Sequence, residues 1–147
     1  MACPFFMPTK EFDDGGWLHP ARLPLGRGWS GKCCAPGHEG YEPTEAELRE
    51  FCNLGYAAAC PYLPAERAYD AVRFSVTNDG GQQITLCFVC EFRHRPALHG
   101  ILEYDAALNR WPSRHPEARI QKMAECYLQS YLLRRVPADH SLAGTHP

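Results

Sequence analysis

The first forty residues carry Pro4, Pro8, Pro20, Pro24 and Pro36 together with Gly15, Gly16, Gly26, Gly28, Gly31, Gly37 and Gly40. Proline removes a backbone donor and glycine loosens the backbone, so this density leaves no helical or strand period to read. The same segment holds Phe5, Phe6, Trp17, Leu18, Leu23, Leu25 and Trp29, a set that a disordered tail lacks. A stretch that must become ordered without regular elements needs another constraint, and in a small fold a cross-link is the usual one.

Eight cysteines are available: Cys3, Cys33, Cys34, Cys52, Cys60, Cys87, Cys90 and Cys126. Which cross-link they form depends on the redox compartment. The opening "MACPFFMPTKEFDD" has no basic region followed by an apolar run, and nowhere do about 18 apolar residues follow one another, so the chain reads as soluble and cytoplasmic with no membrane partner. A reducing compartment disfavours stable disulfides and leaves metal ligands, redox thiols or buried core thiols; an eight-cysteine disulfide scaffold is the reading for an exported chain. Apolar content of 45% with 22% charged residues excludes overall disorder, and 147 residues suit one domain. A net charge of −2 argues against a nucleic-acid partner, and the runs Arg93-His94-Arg95 and Arg134-Arg135 read as solvated faces.

Past the first forty residues the element signals are explicit. Thr44 and Glu47 form a capping box after Pro43, with Leu48, Phe51 and Cys52 on one face, which predicts a helix over about 44–55 stopped by Gly55. One further turn, "YAAAC", ends where Pro61 holds Cys60 out of helical angles. Alternation in "AVRFSV" and "QITLCFVCEF" around "NDGG" predicts a β-hairpin; "HGILEYD" makes a third strand and "LNRW" a further extension. Residues 116–135 read as an amphipathic helix that covers the sheet, through Ile120, Met123, Tyr127 and Tyr131. The expected class is α+β: an irregular cysteine-rich half over 1–64 with one helix, then a three- or four-stranded antiparallel meander and a C-terminal helix over 70–135. Residues 136–147 read as a loose tail.

Five cysteines fall in that irregular half. Cys3 and Cys60 are each followed by proline, which fixes the chain beyond the sulfur; a cysteine-proline step also closes the bacterial ferredoxin ligand run. Adjacent side chains diverge, so of Cys33 and Cys34 one binds; Gly31 favours Cys33, with Cys34 the alternative. The resulting order, C-x29-C-x18-C-x7-C, lacks the close pairs of a structural zinc site and suits an iron-sulfur cluster, whose ligands approach from separate directions. The expected cofactor is therefore a [4Fe-4S] cluster on Cys3, Cys33, Cys52 and Cys60, with zinc as the alternative.

Cys87 and Cys90, three apart on a strand, point to opposite faces and read as core, as does Cys126. Phe5, Phe6, Trp17, Trp29, Tyr56 and Tyr62 are candidates for a dry shell around the cluster. The implied role is electron transfer, redox sensing or structural stapling, with a redox protein as partner. The competing class is a metal- or thiol-dependent enzyme using a histidine among His94, His99 and His115 with Glu91, Glu103 or Asp105; no phosphate loop, nucleophile elbow or HExxH helix selects it. Catalytic residues and oligomeric state are not readable from this pattern.

Overall fold

The computed structural model describes residues 2–12, 17, 23–54 and 60–144, with side chains followed as far as Arg135. The fold is α+β. The strands are β1 (Phe6–Glu11), β2 (Trp29–Cys33), β3 (Ala71–Asp79), β4 (Gln83–Phe92) and β5 (Arg95–Asp105); the helices are α1 (Glu45–Glu47) and α2 (Ala118–Gly144). β3, β4 and β5 form an antiparallel meander, and β1 pairs antiparallel with β2 in a separate ribbon.

The meander follows the side-chain period of two. Register places Val72 opposite Cys90, Phe74 opposite Phe88 and Val76 opposite Leu86, then Leu86 opposite Leu102 and Ile84 opposite Tyr104. These residues form the inner face, which packs with Ile120, Met123, Ala124 and Leu128 of α2. Phe88 lies over Gly100, where a Cβ would come within 2.8 Å of the ring. That glycine lets the aromatic cover the edge strand. The β3–β4 turn uses Gly81 at φ 87°, and Asp79 ties it to α2 by accepting from Tyr131 Oη at 2.6 Å and Arg135 Nη1 at 2.8 Å. "LNRW" adds one bridge, Asp105 to Arg110, and no strand, so the sheet has three.

Three expectations need correction. Strands do exist within the first forty residues. The ribbon of β1 and β2 carries Pro8 and a bulge between Pro8 and Lys10, and Gly31 passes so close to the Met7 carbonyl that no Cβ would fit. A two-stranded ribbon built from proline, a bulge and an obligatory glycine has too few regular positions to show a period. The helix after Thr44 is also shorter: three residues of α1 lead into a π-helical turn, Leu48–Cys52. Finally, the chain is helical to Gly144, past the expected end at 135. Gly55, Tyr56, Leu18 and residues 145–147 lie outside the described residues.

The π-helical turn has a local cause. Asn53, 1% exposed, donates from its side-chain amide to Leu48 O at 3.0 Å and Trp29 O at 2.9 Å, and accepts from Trp29 N at 3.0 Å. Its own backbone N–H donates to Leu48 O five residues back. Drawing Asn53 toward β2 widens the last turn by one residue. The N-terminal end of the turn is fixed by the capping box: Thr44 Oγ1 accepts from Glu47 N, and Glu47 Oε1 accepts from Thr44 N.

Elsewhere the front half is held by packing and hydrogen bonds. Phe6, Leu25 and Trp29 are buried in the main core. Ala2 exchanges two backbone hydrogen bonds with Val72 at the β3 edge, and Ser130 of α2 donates to Leu25 O at 3.0 Å. Replacing Asn53 with alanine strips both backbone groups of Trp29 of these partners inside the core. A stability loss of about 3 kcal/mol is expected, read as a lower urea midpoint at unchanged slope. A loss below about 0.5 kcal/mol would show that Asn53 does not hold the two segments together.

Candidate metal centre

Four cysteines from four segments line one recess: Cys3, Cys33, Cys52 and Cys60. Each arrives by a different device. Cys3 and Cys60 occupy the first position of matching turns, Cys3-Pro4-Phe5-Phe6 and Cys60-Pro61-Tyr62-Leu63, closed by Phe6 N to Cys3 O at 3.1 Å and Leu63 N to Cys60 O at 3.2 Å. Proline at the second position presets the angle that such a turn needs, which is why both sulfurs precede one. Cys33 ends β2, where its N–H donates to Tyr41 O and its carbonyl accepts from Gly40 N. Cys52 closes the π-helical turn, and its carbonyl accepts from Cys3 N at 3.3 Å.

Of the adjacent pair, Cys33 lines the recess and Cys34 does not. The Ala35 amide donates to the Cys33 sulfur at 3.4 Å. Cys87 is half-buried on the outer face of β4, whereas Cys90 and Cys126 lie in the hydrophobic core. The wall is completed by Phe5, Phe6, Tyr41, Pro43, Glu47, Phe51 and Tyr62. Trp17 packs instead on Phe12, and Trp29 lies in the core, so neither belongs to this wall. Tyr41, Phe51 and Glu47 were not singled out as wall residues from the sequence. Glu47 had a legible signal in the capping box and Phe51 in its place on the helix face with Cys52; Tyr41 had none.

The electrostatics follow first from burial and then from the closeness of the sulfurs. Burial pushes the Cys3 thiol up to about 11; the Phe5 amide pulls it down, and the sulfurs of Cys33 and Cys60 raise it further. Cys52 is raised well beyond the ordinary thiol range, first by burial and then by Cys3, Cys33, Cys60 and Glu47. Cys33 is raised mainly by burial, against the Ala35 amide, with Cys60, Cys34 and Glu47 adding to the rise. The sulfurs of Cys3, Cys33 and Cys60 thus oppose ionisation of Cys52, and those of Cys33 and Cys60 oppose that of Cys3; positive charge at the recess would act the other way.

The recess spans about 350 Å³ counted out to its mouth, with enclosed room of about 20 Å³, close to what one water needs. Among the described residues, no three His, Cys, Asp or Glu side chains stand close enough together to hold a single metal ion. The four thiols surround a space; they do not meet at a point. Glu91 pairs with Arg73 at 2.9 Å, His99 sits opposite Val89, and His115 Nδ1 accepts from Glu117 N ahead of α2. His94 lies near Asp70, which also pairs with Arg67.

No family model matches the chain, and no curated protein or solved structure does either. No helix among the described residues is long and apolar enough to cross a membrane.

In the metal-free protein, Cys3, Cys90 and Cys126 are all pushed up by burial, from 9.0 to about 11, 11 and 12. A raised thiol contributes its stability in full below the unfolded value and loses it as the pH climbs through the folded one. The thermal midpoint of metal-free protein should therefore hold up to about pH 9 and fall between about pH 9 and 12. A midpoint flat across that window would contradict the burial of these thiols.

Proposed function

We propose that this chain is a small cytoplasmic iron-sulfur protein that holds one [4Fe-4S] cluster on Cys3, Cys33, Cys52 and Cys60 and exchanges electrons with a redox protein partner. The observation that carries the reading is the lining of one apolar recess by four thiols that lie up to 57 residues apart in sequence, from Cys3 to Cys60. Four thiolates around a space suit a multi-iron cluster better than a single zinc, which needs its donors at about 2.3 Å from one point. The enclosed room takes one water, so the sulfurs would stand further apart once loaded.

The surroundings support the same donors. Amide hydrogen bonds to sulfur, from Ala35 to Cys33 and from the Phe5 and Phe6 amides toward Cys3, favour the thiolate and raise a cluster's potential. Phe5, Phe6, Phe51, Tyr41 and Tyr62 exclude water from the recess. Bound by four cysteines, every iron is saturated, which fits electron transfer or redox sensing and leaves no open position for substrate.

Anaerobically reconstituted protein should be brown, absorb near 400 nm, and contain about four irons and four sulfides per chain. Serine at Cys3, Cys33, Cys52 or Cys60 should each lower iron content severalfold, while serine at Cys34 or Cys87 should leave it unchanged. A colourless protein carrying one zinc, or a fifth cysteine as sensitive as these four, would overturn the assignment.

A further inference from the structure

Glu47 is the acidic side chain in the wall that holds the four thiols. Its Oε1 accepts from Tyr41 Oη at 2.7 Å and from Thr44 N at 2.9 Å, two donors that fix the carboxylate in one place. Tyr41 is itself placed by Cys33, through the backbone bond from Cys33 N to Tyr41 O at 2.8 Å. The ligand strand, the tyrosine and the carboxylate therefore form one connected unit. Glu42, Glu45 and Glu50 are exposed and lie outside the wall.

The capping box alone does not require a charge there. Glutamine at the third helical position returns the same bond to the backbone of the cap residue. What glutamate adds is a fixed negative charge on the wall of the recess. We propose that Glu47 is a positioning residue for the redox step: it holds the cluster's reduction potential down by opposing the arrival of an electron. The inference rests on the iron-sulfur reading. The step is a one-electron reduction, with the electron drawn from an electrode or partner, and no bond forms or breaks.

The test is potentiometric titration of anaerobically reconstituted protein, followed by visible absorption, with iron and sulfide assayed on each sample. Glu47→Gln should retain full iron and sulfide and favour the reduced cluster about tenfold, a positive shift of ~59 mV for one electron. Glu50→Gln removes the same charge from an exposed site and should leave the potential in place. Tyr41→Phe keeps the carboxylate but withdraws a donor, which concentrates the charge and should shift the potential the other way. A Glu47→Gln potential equal to wild type, or a shift matched by Glu50→Gln, would overturn the proposal, as would loss of iron from Glu47→Gln. Wild-type protein that takes up no iron and sulfide would instead sink the cluster reading itself.

Discussion

Asn53 joins the two parts of the front half that carry Cys33 and Cys52. Its side chain binds both backbone groups of Trp29 at the start of β2 and the carbonyl of Leu48 at the start of the π-helical turn. β2 ends at Cys33, and the turn ends at Cys52. One buried amide therefore sets where two of the four sulfurs stand relative to each other. A buried amide is costly unless its bonds are made, so its partners are held to a narrow geometry. Without that tie, β2 and the turn would share only apolar contacts, which are non-directional and specify no register.

The recess built on this tie is unfavourable as a set of free thiolates. Burial raises the thiols of both Cys3 and Cys52, the sulfurs of Cys33 and Cys60 add to both rises, and Glu47 adds negative charge to the same wall. Evenly apolar packing would avoid this conflict. Its persistence in an otherwise well-satisfied fold marks the recess as the place where local rules yield to another requirement. Backbone amides near Cys3 and Cys33 lean the other way, toward the charged form. Positive charge placed among these sulfurs would act in the same direction as the amides, toward the thiolate.

Much of the fold was legible because it rests on simple periods. The alternation from Val72 to Phe92 specified the hairpin, its Gly-rich turn and the inner face. The capping box located the start of α1, and the prolines after Cys3 and Cys60 announced that the chain is fixed just beyond each sulfur. What the sequence concealed were features created by tertiary contact. The β1–β2 ribbon depends on Gly31 slipping under Met7, a constraint with no one-dimensional signature. The π-helical turn arises because Asn53 is drawn 24 residues back along the chain. Tyr41 reaches the wall through its bridge to Cys33, which no spacing rule announces.

The site is also coupled to the rigid half, through Cys3. Ala2 pairs with Val72 on the β3 edge, so the residue before Cys3 is an added member of the sheet. The residue after it, Pro4, accepts at its carbonyl from Arg119 Nε of α2 at 2.9 Å, and the same guanidinium lies 5.7 Å from the Phe5 ring centre. Cys3 is thus clamped between sheet and helix, with both flanking residues committed. Cys33 and Cys52 are fixed to one another through Asn53, and Cys52 is fixed to Cys3 by a backbone bond. Three of the four sulfurs therefore belong to one connected scaffold. Cys60 enters from its own Pro-turn, with Tyr62 stacked edge-on to Tyr41 at 4.9 Å as the contact that brings it to the wall. Because the scaffold fixes Cys3, Cys33 and Cys52 together, closing the wall of the recess with Cys60 costs ordering entropy for that one turn and not for the whole front half.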